Sequence, residues 1–258
     1  MKIENLAEEV RNWMQEAGQR IREQLTRPMQ VKTKSGPKDL VTNIDKSTEA
    51  FFREKIQKTY PNDKILGEEG GKDQIKDLTG SVWIIDPIDG TTNFVCQKKN
   101  FAIMIGYFVD GSPAFGAIYD VMQDDYFERI CGKELRRNGQ VYSLPCQDKA
   151  LKDSLMAASS RLVLGNSHNF LEIVDHSLGF RCYGSASMEI LALLKGDIAL
   201  YAAMNLKPWD LAAGMALLKG TPIRITRLDG GEINLMTETP ALMAYPSAYA
   251  TFLENYKD

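Results

Sequence analysis

The chain has 258 residues, 44% of them hydrophobic and 25% charged, a net charge of −3 and a pI near 5.6. Those proportions exclude a disordered chain and fit one large domain or two modest ones around a sizeable core. The acidic balance, with no basic run longer than Lys98-Lys99 or Arg136-Arg137, excludes a nucleic-acid scaffold, which relies on clustered Lys and Arg.

Apolar residues at Ile3, Leu6, Val10, Trp13, Ala17, Ile21 and Leu25 recur in steps of three and four, which predicts an amphipathic helix. Its polar face mixes both charge signs, so it is read as packing on a core or a subunit rather than lying on a membrane. Residues 28–40 are polar and Lys-rich, with Pro28, Gly36 and Pro37, and predict a loop or hairpin. A second helix begins near Asn43 to Asp45 and runs to Tyr60, just ahead of Pro61. Lys64-Ile65-Leu66 reads as a short strand, followed by the acidic turn Gly67-Glu68-Glu69-Gly70. Val82 to Ile85 is a buried-strand run ending at Asp86. From Phe101 to Tyr142 strands alternate with turns at Asp110-Gly111, Gln123 to Asp125 and Asn138-Gly139, an antiparallel meander. Met188–Lys195 and Leu211–Lys219 predict short helices, and Thr221 to Leu235 a hairpin turning at Asp229-Gly230-Gly231. A boundary near residues 143–150 is expected, between an α+β part (1–145) carrying the acidic motifs and an α/β part (146–258) carrying Asp210 and the substrate pocket.

Cys96, Cys131, Cys146 and Cys182 form no C-x-x-C pair and are expected to be free thiols of a reducing compartment. No signal-peptide pattern opens the chain, and no segment approaches the run of about 20 apolar residues that spans a bilayer. A cytoplasmic protein with no membrane partner is therefore expected.

The chemistry concentrates in Trp83-Ile84-Ile85-Asp86-Pro87-Ile88-Asp89-Gly90-Thr91-Thr92-Asn93-Phe94. A buried strand delivers Asp86 to a sheet edge, Pro87 stiffens the turn, and Asp89 follows so that both carboxylates can face one point. Gly90 lets the backbone approach a ligand or take φ > 0, and Thr91 or Thr92 suits a helix N-cap. Carboxylates hold a hard cation and a helix start holds an anion, so the pair describes a metal-phosphate site. Alone, D-P-x-D-G reads more readily as a tight turn, and the further acidic elements reverse that reading. Glu68-Glu69 between two glycines sets two like charges side by side, which has a cost unless a cation is near. Asp210, after Pro208-Trp209, is either another ligand or an N-cap. Glu68, Asp86, Asp89 and Asp210 form an all-oxygen set without Cys or His, which selects Mg²⁺ or Mn²⁺ over zinc. Four carboxylates and a phosphate call for two or more divalent ions, clamping attacking and leaving oxygens of an in-line displacement.

These residues resemble the inositol monophosphatase family. The matching pieces are Lys34 followed by Asp39-Leu40-Val41-Thr42 and Asp45, Gly67-Glu68-Glu69, Trp83 to Phe94, Gly184-Ser185-Ala186, and Pro208-Trp209-Asp210 to Gly214, in the family's order and over most of the chain. The resemblance implies an α/β (α+β) layered α-β-α-β-α sandwich of the inositol monophosphatase/fructose-1,6-bisphosphatase type, as a homodimer. It implies two or three Mg²⁺ per site: one on Glu68, Asp86 and the Ile88 carbonyl, a second on Asp86, Asp89 and Asp210, and a third, weaker one near Glu68 and the Lys34 loop. It gives metal-activated water as the nucleophile, aligned by Glu68 and a Thr91–Asp45 pair, and inhibition by Li⁺. Asp89, Gly90, Thr91, Thr92, Gly184, Ser185, Ala186 and Asp210 would bind the substrate, a small phosphate ester. The pattern breaks at Ala203, where animal members carry a Glu that binds inositol hydroxyls. An inositol phosphate therefore competes as substrate with the 2′-phosphate of NADP and with fructose 1,6-bisphosphate.

Rival readings are weaker. Cys131 and Arg137 fit C-x₅-R, the spacing of cysteine-dependent phosphatases, but Glu134 between them would oppose thiolate and phosphate together. Asp86 to Thr91 is similar to the D-x-D-G-T of aspartyl-nucleophile phosphatases, with one residue too many between the acids. His168 and His176 read as surface or structural, and Met188, Met204 and Met215 as core fillers. A regulatory module that kept a phosphatase fold is the reading from a different class.

Overall fold

Alternation along one buried strand decides how the layers stack. In the computed structural model, which describes residues 2–26, 28–34, 36, 40–70 and 75–256, α1 (Ile3–Gln24) leads to the antiparallel pair β1 (Val31–Thr33) and β2 (Leu40–Thr42). Pro37 and Asp39 of the predicted hairpin lie outside the described residues. Then follow α2 (Asn43–Thr59), β3 (Lys64–Gly67), β4 (Ser81–Asp89) and α3 (Thr91–Gln97). The meander is β5 (Ala102–Val109), β6 (Ser112–Asp120), β7 (Asp125–Ile130), β8 (Arg136–Arg137) and β9 (Gln140–Val141). Its turns fall where expected, because Asp110-Gly111 and Asn138-Gly139 both take the positive φ that a tight hairpin needs. The seven strands β3 to β9 form one sheet in sequence order, parallel at β3–β4 and antiparallel beyond.

The second half runs β10 (Leu155–Ala158), α4 (Ser160–Gly165), α5 (Phe170–Asp175), β11 (Gly179–Arg181), α6 (Ala186–Lys195), β12 (Leu200–Leu206), α7 (Pro208–Leu218), β13 (Arg224–Thr226), β14 (Thr239–Ala244) and α8 (Pro246–Asn255). Its sheet has the order β11-β10-β12-β14-β13, with parallel pairing around β10 and antiparallel pairing at β14.

Trp83 and Ile85 of β4 face α1 and α2, while Val82 and Ile84 face α6 and α7. A strand apolar on both faces is the central layer of such a stack. The far side of α6 and α7 is covered by Tyr201, Ala203, Ala241 and Met243 of the second sheet. That sheet's other face, through Ala202 and Leu242, carries Leu162, Phe170 and Phe252 of α4, α5 and α8. The result is the five-layered α-β-α-β-α sandwich that the resemblance implied. Lying between two sheets, α7 is apolar on every side. It sits against glycines: a Cβ at Gly106 would come within 2.8 Å of Ala212 Cβ, and one at Gly116 within 2.6 Å of Ala216 Cβ.

Two expectations are corrected. Thr221–Leu235 is not a closed hairpin. The chain does turn at Leu228 to Gly230, with Arg227 N–H donating to the Gly231 carbonyl at 2.8 Å, but β13 pairs with the later β14. Ile233 and Leu235 pack into the core instead of pairing, and the Asn234 side chain accepts the Met236 N–H (2.9 Å) in a second turn. The other correction is that β4 continues past Asp86 to Asp89 through an irregularity in its ladder.

Candidate active site

That irregularity builds the site. Asp86 pairs with Met104 and Asp89 with Ala102, so three steps on β4 oppose two on β5, a one-residue bulge at Pro87-Ile88. In a regular strand residues three apart point to opposite faces. The extra residue turns Asp89 back to the side of Asp86, and Pro87, which has no N–H to give the ladder, fits there. Gly90 then takes φ 92° and caps α3, so Thr91 and Thr92 occupy its first two positions instead of the N-cap expected of them. A side chain at Gly90 would strike Ser185, with a Cβ–Cβ distance of 2.9 Å.

Asp210 arrives from the first turn of α7, held there by Pro208 and by the glycine-lined face of the first sheet. One oxygen each of Asp86, Asp89 and Asp210 lies within 4.8 Å of the others. A backbone N–H pins each carboxylate: Ile88 on Asp86 (3.0 Å), Ser187 on Asp89 (2.6 Å) and Lys207 on Asp210 (2.7 Å). Ser185 adds its hydroxyl to the same Asp89 oxygen at 2.6 Å. Each acid is thus held by a backbone N–H on one of its oxygens.

Glu68 lies beside this group, against Asp86, and the Lys34 ammonium, just past β1, contacts both Glu68 (2.7 Å) and Glu69 (2.5 Å). Glu69 is held further by its own N–H, which donates to Glu49 at 2.7 Å. Asp45 stands at the third position of α2, where it caps the helix by accepting the Thr42 N–H (2.9 Å) and hydroxyl. The Thr91 hydroxyl reaches Asp45 (3.1 Å) and the Ile88 carbonyl (3.2 Å) and has one proton to give. Leu40, Glu68, Asp86, Ile88, Asp89, Gly90, Thr91, Thr92, Gly184 and Asp210 line a cleft of about 210 Å³. Of the predicted substrate residues, Ser185 and Ala186 lie behind its wall: Ser185 is engaged with Asp89, and Ala186 packs into the core.

Burial and mutual repulsion dominate the electrostatics. Burial, reinforced by Glu68, Asp89 and Asp210, holds the Asp86 carboxyl well above the usual carboxylate range. Asp210 is raised by burial and by Asp89. Burial pushes Glu68 up to about 7 although Lys34 opposes it, and it raises Asp45 as well. Burial also works against the Lys34 ammonium, but Glu68 and Glu69 outweigh it and raise its pKa. Clustered acids of this kind are neutralised by protons or by a hard cation. An oxygen-only donor set held in place by backbone N–H groups fits Mg²⁺.

Several partners escaped sequence reasoning. Asn93 bridges the Asn100 carbonyl (2.9 Å) and the Tyr183 carbonyl (2.7 Å), tying α3 to the loop before α6. Ser187 and Glu189 belong to the same loop and helix, and Glu49 supports Glu69. Only Glu189, an acid inside an apolar helix, left a signal in the sequence. The C-x₅-R pair does not form a site: Cys131 points at the Ala216 carbonyl (3.8 Å), while Arg137 forks onto Asp125 (2.7 and 2.9 Å). His168 stacks on Tyr256, and all four cysteines are free thiols.

A five-layered sandwich with a carboxylate cluster at a bulged strand end defines a metal-dependent phosphatase class. The chain belongs to the inositol monophosphatase family, whose model matches residues 2–257, and it is a phosphoric monoester hydrolase. It is 40% identical over 250 residues to the inositol-1-monophosphatase of Bacillus subtilis, covering 95% of this chain and 94% of that one. The solved structure of inositol monophosphate-bound SaIMPase-II superposes with a TM-score of 0.85 at 34% identity, over 98% of this chain and 93% of that one. An IMPase/NADP phosphatase complexed with Mg²⁺ and phosphate superposes at 0.88 with 26% identity, over 97% and 94%. No helix among the described residues is long and apolar enough to cross a membrane.

Proposed function

We propose that the chain hydrolyses a small phosphate monoester of the inositol 1-phosphate type, with two or three Mg²⁺ per site. The observation that carries this reading is the convergence of Asp86, Asp89 and Asp210, each oriented by a backbone N–H, in one cleft with Gly90 to Thr92. The chain supplies Asp86, Asp89 and Asp210 to one ion, and Glu68, Asp86 and the Ile88 carbonyl to another. Bound there, Mg²⁺ supplies water activation and neutralises charge on the phosphoryl group. The Gly90–Thr92 backbone N–H groups and the Thr92 hydroxyl receive the phosphate, and Gly184 walls the leaving-group side. A Thr91 hydroxyl that donates to Asp45 has lone pairs left to accept from a water in the cleft, so it orients that water and relays its proton to Asp45. Burial raises Asp45, which makes it the better proton acceptor.

A second reading keeps the site and changes the leaving group. Ala203 is fully buried and offers no acceptor to a sugar hydroxyl, so the inositol ring lacks one partner used by animal members. The NADP phosphatase among the structural neighbours supports a nucleotide 2′-phosphate as alternative, and fructose 1,6-bisphosphate is the third candidate. A cytoplasmic location and assembly as a homodimer, the latter read from the family resemblance and tested by light scattering, belong to the same proposal.

The deciding experiment is phosphate release, with and without Mg²⁺, from inositol 1-phosphate, NADP, fructose 1,6-bisphosphate and 3′-phosphoadenosine 5′-phosphate. Mg²⁺-dependent release supports the reading, and the kcat/KM ranking names the leaving group. No release by a folded protein that binds Mg²⁺ would favour a regulatory module on a phosphatase fold.

A further inference from the structure

Glu189 interrupts the apolar run Met188 to Leu194 of α6 and is only 2% exposed. Its carboxyl leans back along the helix, as helical side chains do, over the segment before the N-cap Ser185. There Oε1 accepts the Tyr183 N–H at 2.8 Å, and the Gly184 N–H lies beside the carboxyl and favours its charged form. Oε2 is buried with no hydrogen-bond partner among the described residues. Among the described residues no cation offsets the group. Burial chiefly, with the charge of Asp89 adding to it, pushes the carboxyl up to about 8. A core position that only needed filling would hold an apolar side chain at lower cost. The amides it engages supply the reason for an acid here.

Those amides belong to the turn that joins the two halves of the site. The Tyr183 carbonyl accepts from Asn93 at 2.7 Å, Gly184 lines the cleft with φ +75°, and Ser185 donates to Asp89 at 2.6 Å. Asn93 therefore grips the turn by the Tyr183 carbonyl and Glu189 by the Tyr183 N–H. We propose that Glu189 is a positioning residue: by accepting the Tyr183 N–H beside Gly184 it sets the turn that walls the cleft and, through Ser185 and Ser187, orients Asp89. The inference rests on the proposed function only in taking Asp89 as a metal ligand and Gly184 as a substrate wall.

The test uses the full chain with Glu189→Gln, which keeps an acceptor, and Glu189→Met and Glu189→Ala, which do not. Four quantities are read: thermal midpoint, Mn²⁺ affinity by calorimetry without substrate, and kcat and KM for the best ester of the panel. Losing a buried acceptor is worth roughly tenfold or more in equilibrium terms. Expected are Gln within about threefold of wild type in every readout. Met and Ala should be folded, with Mn²⁺ affinity lowered about tenfold and KM raised by a similar factor, more than kcat falls. Wild-type Mn²⁺ affinity and KM in the folded Met variant would overturn the proposal. So would damage by Gln equal to that by Met, or failure of both Met and Ala to fold, which would make Glu189 a purely structural residue. If the wild type binds Mn²⁺ but cleaves no ester, the proposed function fails while the Mn²⁺ measurement still decides Glu189.

Discussion

Asp89, which is buried, and Asp210, which is half-buried, each combine a backbone N–H on one oxygen with proximity to another acid. Replacing either by Asn keeps shape and removes the charge, so Asp89→Asn or Asp210→Asn is expected to lose most phosphate release even at saturating Mg²⁺. Near-wild-type turnover in either variant would remove that carboxylate from the metal site. Thr91→Ala deletes the hydroxyl between the cleft and Asp45 and is expected to lower kcat by about 10²–10⁴-fold, the usual contribution of positioned proton transfer. An unchanged kcat would take Thr91 out of the mechanism. Glu189 gives a pH dependence of stability. Its folded pKa, about 8, lies above the ordinary 4.5, so between these values the folded state binds more protons than the unfolded state. Its contribution is fully present below about 4.5 and is lost as pH rises toward 8. Urea midpoints at pH 5 and pH 9 are expected to differ less in Glu189→Gln than in wild type. Equal differences would show that Glu189 does not titrate in this window.

At the level of elements, the position of Asp210 depends on how closely α7 approaches the first sheet. Gly106→Ala places a methyl 2.8 Å from Ala212 Cβ and 2.9 Å from the Ala212 carbonyl carbon, which backbone cannot easily yield. Overpacking of this kind costs about 1–3 kcal/mol. Urea unfolding should register that loss, and kcat should fall because α7 shifts Asp210 away from Asp86 and Asp89. A change below about 0.5 kcal/mol, within the range of ordinary surface substitutions, would show that α7 relaxes freely. The bulge at Pro87-Ile88 and the turn at Gly90 play the corresponding part for Asp89.

Across the whole molecule, the site lies where both sheets and the central helices meet, so a ligand there reports on global stability. Three crowded acids, two of them held well above the usual carboxylate range, oppose folding until a cation offsets them. Chelation with EDTA is expected to lower the thermal midpoint, and Mg²⁺ at about 100 times its Kd to restore about 2.7 kcal/mol. Calorimetry showing no midpoint shift with Mg²⁺ would contradict the metal assignment.

Much of this was readable in the residues because the relevant signals are local. The three-and-four spacing in α1, the positive-φ pairs Asp110-Gly111 and Asn138-Gly139, and the apolar run of β4 depend only on near neighbours and backbone geometry. Asp86 and Asp89 were legible for the same reason, as was Asp210 beside Pro208-Trp209. What failed was the partner of β13, since Ile233 and Leu235 alternate like a strand yet pack into a core assembled from distant segments. The extension of β4 through a bulge, the N-cap at Gly90 and the placement of Ser185 behind the wall also needed cross-strand and cross-element neighbours. By itself the sequence determined the kinds of ligand atom and the order in which they occur. Only the tertiary structure decided which oxygens face one point, because Asp210, more than a hundred residues beyond Asp86 and Asp89, joins them only when two sheets close on α6 and α7.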